Sequence, residues 1–145
     1  MEYRKGNHSV YGLNYHIVLV TKYRKKCINE ELGERLKAEC IRLIEGREGR
    51  VLEIETDQDH LHILAELSPK YALAESIGIL KSVTARIMRR DYAGYLSQFY
   101  WGDSFWSDSY FVASSGGVTM ETLRQYVEDQ GKPKKGRGRP PKKRT

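Results

Sequence analysis

The apolar positions of the chain follow two spacings, one typical of strands and one of helices. A β-branched, aromatic and leucine-rich run over Leu13–Thr21 predicts a strand that is buried on both faces. Val51–Thr56 and His60–Leu67 alternate with period two around a polar stretch and predict a β-hairpin. The aromatic-rich segment Tyr95–Ser115, interrupted by Gly102-Asp103, predicts further strand structure with a turn.

Three other segments repeat apolar residues every three or four positions. Asn29–Gly46 predicts an amphipathic helix with Asn29 as its N-cap and glycine at its end. A second helix covers the apolar positions of Leu73–Met88, and a third runs from an N-cap at Thr119 to Gln130 and stops at Gly131. The order strand, helix, hairpin, helix, strand, helix predicts an α+β fold. We expect a ferredoxin-like split βαβ sandwich, with helices on one face of an antiparallel sheet, plus a C-terminal helix.

The charge of the chain is concentrated at its C-terminal end. Of 145 residues, 25 are Lys or Arg and 19 are Asp or Glu, which gives a net charge of +6. Eight of the bases and none of the acids lie in residues 132–145, so residues 1–131 carry about −2. We therefore predict a folded domain over residues 1–131 and a disordered basic tail over 132–145. Arg137-Gly-Arg139-Pro in that tail resembles an AT-hook, and the alternative is a nonspecific polycationic arm.

Several classes of protein do not fit this sequence. No apolar run approaches the roughly 18 residues that span a bilayer, and the N-terminus has no signal-peptide pattern. Cys27 and Cys40 show neither a zinc-ribbon spacing nor a disulfide framework. We expect a cytoplasmic protein with no membrane partner.

Two pairs of residues present candidate chemistry. His60 and His62 lie two apart on a predicted strand, so their imidazoles project from one face and could bind a divalent metal. Such a pair is also typical of a solvated or core-edge position. Tyr126 and Gln130 lie one turn apart on the last helix and present a phenol beside a carboxamide. A partly buried aromatic residue and a surface amide would give the same pattern.

Taken together with three other motifs, these pairs resemble a known family. In chain order the motifs are NYHIVLVTKYRK from Asn14, His60-Leu61-His62, WSDSYF from Trp106, Ser115-Gly116-Gly117, and YVEDQ from Tyr126. Their order and spacing resemble the single-tyrosine HUH transposases of small insertion sequences, the IS200-like transposase family. The resemblance covers about residues 3–131, and no catalytic position of the family pattern is missing.

The resemblance implies a covalent mechanism for DNA cleavage and rejoining. Tyr126 would act as the nucleophile, giving a 5′-phosphotyrosine and a free 3′-hydroxyl. His60, His62 and Gln130 would bind Mg²⁺ or Mn²⁺, which would act as a Lewis acid on the phosphate. Imidazole ligands favour Mn²⁺ and cellular abundance favours Mg²⁺.

The resemblance also implies partners. Family members act on single-stranded DNA with hairpin ends, as homodimers in which the histidine pair and the tyrosine helix can come from different subunits. Gly116-Gly117 would then be a hinge before the last helix. Basic residues beside aromatic ones suit single-stranded DNA. The predicted DNA contacts are Lys22, Arg24, Lys25, Lys26, Arg86, Arg89, Arg90, Arg137 and Arg139.

Two other functions are compatible with parts of the pattern. A non-catalytic or domesticated DNA-binding or regulatory protein could share this fold and bind DNA through its tail. A relaxase or replication-initiator nuclease would share the histidine chemistry, but such proteins usually have longer chains. The intact set of His60, His62, Tyr126 and Gln130 favours the transposase.

Overall fold

A computed structural model of the chain describes residues 4–5, 10–11, 13–100, 102–117 and 119–130. Gly131 and the basic tail, with its possible AT-hook at Arg137 and Arg139, lie outside the described residues. The strands are β1 (Arg4–Lys5), β2 (Val10–Tyr11), β3 (Asn14–Val20), β4 (Arg50–Thr56), β5 (His60–Glu66) and β6 (Phe111–Ser114). The helices are α1 (Glu30–Gly46), α2 (Leu73–Asp91), α3 (Ala93–Leu96) and α4 (Met120–Gln130).

Four antiparallel strands form the main sheet, in the order β4-β5-β3-β6. This is the strand order of the predicted split βαβ fold, which the structure confirms. The core between the sheet and α1 and α2 is apolar, and α4 packs on the opposite face of the sheet. A separate two-stranded ribbon of β1 and β2 was not predicted. No helix in the described part of the chain is long and apolar enough to cross a bilayer.

Strand β3 is the centre of the fold, and its second half is buried on both faces as predicted, whereas Leu13 before it is 41% exposed. Ile17 and Leu19 point into the core beneath α1 and α2. Val18 and Val20 point the other way and pack with residues of α4. All four side chains are at most 1% exposed. The alternation of side chains along a strand thus places one helical layer on each side of β3.

Two helix starts agree with the predicted caps. The Asn29 side-chain oxygen accepts a hydrogen bond from the Leu32 backbone N–H at 2.8 Å, which begins α1. The Thr119 hydroxyl accepts the Thr122 N–H at 3.2 Å, which begins α4. Helix α1 ends at Gly46 as expected, but the left-handed residue after it is Glu48, with φ 64°.

The prediction of strand structure over Tyr95–Ser115 is largely wrong. Among its described residues only β6 at the end is a strand, while the first residues complete α3 and those between are irregular. Its aromatic side chains fill the core instead: Phe105 is 1% exposed and Trp106 is 7% exposed. Aromatic residues favour strands and buried loops alike, because both remove large apolar surfaces from water.

The segment 105–109 is fixed by a backbone hydrogen bond to the end of β3 and by a side-chain hydrogen bond to α2. The Ser107 N–H donates to the Val20 carbonyl at 2.8 Å. The Trp106 indole N–H donates to the buried hydroxyl of Thr84 on α2 at 2.9 Å. The hydrogen bond of this buried indole N–H therefore depends on one side chain, Thr84, in the helical layer.

Replacing Thr84 with valine tests this contact. Valine keeps the shape of the side chain but leaves the Trp106 N–H unpaired, so we expect the free energy of unfolding to fall by about 1–3 kcal/mol. Urea denaturation measures the change. Ser82→Ala, at an exposed position on the same helix, should change it by less than about 0.5 kcal/mol. Equal effects of the two variants would contradict the contact.

Candidate metal and tyrosine site

His60 and His62 occupy the predicted face of β5. Leu61 and Ile63, which alternate with them, are fully buried on the side of α1 and α2. The two imidazoles are half-buried on the opposite side, the side on which α4 lies. The period of two in the sequence therefore placed both histidines correctly on one face.

His60 contacts the carboxylate of Asp59, which Arg24 also contacts. Its Nδ1 lies 2.9 Å from Oδ1 of Asp59, and Nε of Arg24 donates to Oδ2 of the same carboxylate at 2.9 Å. Burial alone would raise the pKa of Asp59, but the hydrogen bonds from His60 and Arg24 outweigh it and hold the pKa below its ordinary value. Asp59 is therefore an ionised, buried acceptor beside the first histidine.

His62 contacts a third histidine, from the neighbouring strand. Nε2 of His62 lies 2.8 Å from Nδ1 of His16, and the rings stack with centroids 5.1 Å apart. Burial, and then the neighbouring His16, lowers the pKa of His62, while Glu55 and Glu53 oppose the shift. A lowered pKa keeps the imidazole neutral near pH 7, which is the form that binds metals.

Tyr126 and Gln130 meet at a third residue, Ser109. The Ser109 hydroxyl donates to Oε1 of Gln130 at 3.2 Å and lies 3.2 Å from the Tyr126 hydroxyl. The ring of Tyr126 packs against that of Phe111, with centroids 5.3 Å apart. Burial raises the pKa of Tyr126, and the hydrogen bond with Ser109 offsets part of that rise. The predicted phenol and carboxamide are thus presented together.

Lys81 of α2 holds the loop that carries Ser109. Its ammonium group donates to the carbonyl oxygens of Ser107 at 2.8 Å, Asp108 at 3.1 Å and Ser109 at 3.5 Å. Burial lowers the pKa of Lys81, partly opposed by the Asp108 carboxylate. One cation therefore fixes three consecutive carbonyls next to the tyrosine.

The two pairs lie on opposite flanks of α4. Leu123 and Val127 pack on β3 in the middle of the helix. On one flank a cavity of about 500 Å³ contains both histidines. On the other flank Tyr126 contacts β6 through Phe111.

The sheet register separates the pairs in the same way. Val18 of β3 lies between His62 on β5 and Phe111 on β6. Two strand spacings amount to roughly 10 Å. The four predicted site residues are therefore brought together as two pairs, and no hydrogen bond among the described residues joins one pair to the other.

The histidine pair suits a divalent ion but does not complete a site for one. The His60 ring has one hydrogen-bond partner among the described residues, Asp59 at Nδ1, so its Nε2 can serve as a ligand. No group of three or more His, Cys, Asp or Glu side chains in the described part of the chain could hold a metal. The predicted third ligand, Gln130, lies on the other flank of α4, where its Oε1 accepts from Ser109.

The basic residues predicted to contact DNA lie in two surface regions among the described residues. Several form ion pairs: Lys22 with Asp108, Arg24 with Asp59, Arg89 with Asp103, and Arg90 with Asp91. Lys25, Lys26 and Arg86 are exposed, and Tyr23 beside the first group is 71% exposed. Their contacts with DNA remain predictions. Arg137 and Arg139 lie outside the described residues.

The sequence analysis missed four residues that organise the site: His16, Asp59, Lys81 and Ser109. Asp59 directly precedes His60, and Ser109 lies inside the WSDSYF motif, so adjacency to a motif was an available signal. His16 likewise lies inside the NYHIVLVTKYRK motif, whereas Lys81 lies in none of the motifs. Their positions depend on the pairing of β3 with β5 and on the packing of α2 against the 105–109 loop.

Comparisons with known proteins show what the chain is similar to. Residues 9–130 match the family described as "Transposase IS200 like". The chain is 31% identical over 131 residues to the ISDra2 transposase TnpA of Deinococcus radiodurans, covering 90% of this chain and 92% of the relative. It is 29% identical over 123 residues to the transposase for insertion sequence element IS200 of Salmonella typhimurium, covering 85% of this chain and 80% of the relative. A crystal structure of a transposase candidate from Deinococcus radiodurans superposes with a TM-score of 0.80 at 28% identity, covering 90% of this chain and 99% of that one.

Replacing Ser109 with alanine tests the environment of the phenol. The Ser109 hydrogen bond lowers the pKa of Tyr126, so its removal should raise that pKa further. Titration of the Tyr126 ¹³Cζ signal by NMR, assigned with Tyr126→Phe, measures the shift. Ser104→Ala in the same segment should leave the titration unchanged. A Tyr126 pKa that stays constant or falls in Ser109→Ala would contradict the contact.

Proposed function

The chain belongs to the IS200-like transposase family, and on that premise we propose that it cleaves and rejoins single-stranded DNA at insertion-sequence ends through Tyr126. One observation carries the proposal. The part of the chain that matches the family contains both the histidine pair and Tyr126, and each is held in place by charged or hydrogen-bonding neighbours. A transposase of this family acts on DNA, so we place the protein in the cell interior.

Tyr126 is the proposed nucleophile. Its phenolic oxygen forms a bond to the scissile phosphorus, and the bond between phosphorus and the 3′ oxygen breaks. The phenol loses its proton and the departing 3′ oxygen gains one, leaving a 5′-phosphotyrosine and a 3′-hydroxyl. A second 3′-hydroxyl then attacks the phosphorus and releases Tyr126. The phosphodiester energy is conserved throughout, so no nucleotide triphosphate is consumed.

Because Tyr126 is partly buried, its phenol needs help from another group to lose its proton. Since its pKa lies above the ordinary value, little phenolate exists near pH 7. Ser109 contacts both Tyr126 and Gln130, so its hydroxyl can turn its hydrogen toward the oxygen on which charge develops. We propose this as the role of the contact.

His60, His62 and Gln130 are the proposed ligands of Mg²⁺ or Mn²⁺. When bound, the cation would withdraw negative charge from the phosphate as a Lewis acid. The free Nε2 of His60 and the lowered pKa of His62 suit this role. The protein residues orient the donors and hold His62 neutral.

We propose a homodimer in which the two pairs come from different subunits. Within one chain, Tyr126 and Gln130 lie on the β6 flank of α4 while the histidines lie on the other. In the described part of the chain, β6 pairs only with β3, so its outer edge is open to a second copy. A two-fold axis near that edge would bring α4 of one subunit toward the sheet of the other. Rotation at Gly116-Gly117 would allow the helix to change its position.

Single-stranded DNA with hairpin ends is the proposed substrate. The exposed Lys25, Lys26 and Arg86, together with Tyr23, offer phosphate contacts and a stacking surface. The basic tail would add affinity that depends on salt, with Arg137 and Arg139 as candidate minor-groove contacts. It would contribute nothing to the cleavage chemistry.

A covalent adduct tests the proposed mechanism. The protein is incubated with labelled single strands copied from the DNA that flanks its own gene, with Mg²⁺ or Mn²⁺, and resolved on a denaturing gel. Wild type should give a labelled protein band, and Tyr126→Phe should give none because it lacks the attacking oxygen. Removal of the metal with a chelator should also abolish the band. Tyr71→Phe, on the α1 and α2 side of the sheet, should behave as wild type.

Two results would contradict the proposal. An equal adduct in Tyr126→Phe would assign the nucleophile to another residue. Strand binding by wild type with no adduct in either metal would instead favour the non-catalytic DNA-binding protein.

A further inference from the structure

We propose that Asp59, held by Arg24, is a positioning residue that sets the tautomer of His60 so that its Nε2 is free to bind the metal. This inference rests on the proposed function, since it assigns a ligand role to His60. It adds a residue pair outside the four predicted site residues. It also gives Arg24 a structural partner in addition to its predicted contact with DNA.

The first step follows from the hydrogen-bonding capacity of a carboxylate. An ionised Asp59 can only accept, so the 2.9 Å contact requires His60 to carry a proton on Nδ1. In neutral imidazole the other nitrogen then has a lone pair and no proton. Nε2 of His60 is therefore prepared for a cation before one arrives.

The second step is that Asp59 cannot easily turn away. The residue is only 6% exposed, and its backbone carbonyl accepts a hydrogen bond from the Thr21 N–H at 3.0 Å. Its other carboxylate oxygen accepts from Nε of Arg24. Both oxygens have charged or polar donors, so a single side-chain orientation is favoured.

The third step concerns the backbone that carries Arg24. Tyr23 and Arg24 have φ values of 57° and 56°, a left-handed conformation that residues other than glycine rarely adopt. This turn carries the guanidinium onto Asp59. Strained backbone persists where the surroundings enforce it, often at functional sites.

Arg24 also connects this arrangement to α4. Its Nη1 donates to the Glu128 carbonyl at 3.2 Å, in the same helical turn as Gln130. One guanidinium thus touches both the carboxylate behind His60 and the helix that carries the proposed third ligand. Displacement of α4 would release one contact of Arg24 while the contact with Asp59 persists.

The tautomer of His60 tests the proposal directly. Long-range ¹H–¹⁵N NMR spectra of the full-length protein, recorded above pH 7, distinguish Nδ1–H from Nε2–H imidazole. We expect His60 of the wild type to carry its proton on Nδ1. In Asp59→Ala the Nε2–H form should increase, because the acceptor at Nδ1 is gone. Asp57→Ala, an exposed aspartate of the same turn, should leave the spectrum unchanged.

Metal affinity provides the second measurement. Titration with Mn²⁺ alone, followed by electron paramagnetic resonance, should show binding about 10–100-fold weaker in Asp59→Ala. Asp57→Ala should bind as wild type. A merely structural role of Asp59 predicts no change in the His60 tautomer and no loss of Mn²⁺ affinity in folded protein.

Each failure has a distinct signature. Wild-type His60 protonated on Nε2, or unchanged Mn²⁺ affinity in Asp59→Ala, would overturn the role of Asp59 alone. Wild-type Mn²⁺ binding that does not depend on His60, tested with His60→Ala, would overturn the proposed metal site as well. The wild-type spectrum alone shows which nitrogen of His60 carries the proton, so this result does not depend on whether Asp59→Ala folds.

Discussion

The packing of α4 on the central strand β3 decides which reactive groups can meet. Val18 and Val20 on one side, and Leu123 and Val127 on the other, form a small apolar contact that fixes the helix over the sheet. Because α4 has this contact in its middle, its two flanks face different strands. The phenol of Tyr126 therefore lies toward β6, while the histidines open onto the opposite flank.

Charged residues fix each half of the site separately. On the histidine side, a buried carboxylate lies between Arg24 and His60. On the tyrosine side, Lys81 fixes the carbonyls of the loop that presents Ser109. Hydrogen bonds to charged groups are stronger than neutral ones, so each cation restrains the groups around it. Arg24 also donates to the Glu128 carbonyl and so links the histidine side to α4.

The sequence was sufficient to predict the features that depend on residues close together in the chain. The periodicity of β3 and β5, the N-caps at Asn29 and Thr119, and the shared faces of His60 with His62 and of Tyr126 with Gln130 all depend on near neighbours. The contacts of His16 with His62 and of Lys81 with the 105–109 loop depend on strand register and helix packing over long separations. Local sequence patterns do not predict such long-range contacts. The strand prediction for the aromatic segment before β6 was largely wrong for a related reason. Burial in a loop and burial in a strand favour the same aromatic side chains.

Mixed dimers test most directly whether the site is shared between subunits. A purified heterodimer would combine one subunit carrying His60→Ala and His62→Ala with one carrying Tyr126→Phe. If the tyrosine of one subunit serves the histidines of the other, one of the two equivalent sites is intact, and the heterodimer should cleave single-stranded DNA at about half the wild-type rate. Each variant homodimer should be inactive. A folded heterodimer without cleavage activity would contradict the shared site and place all four residues in one chain.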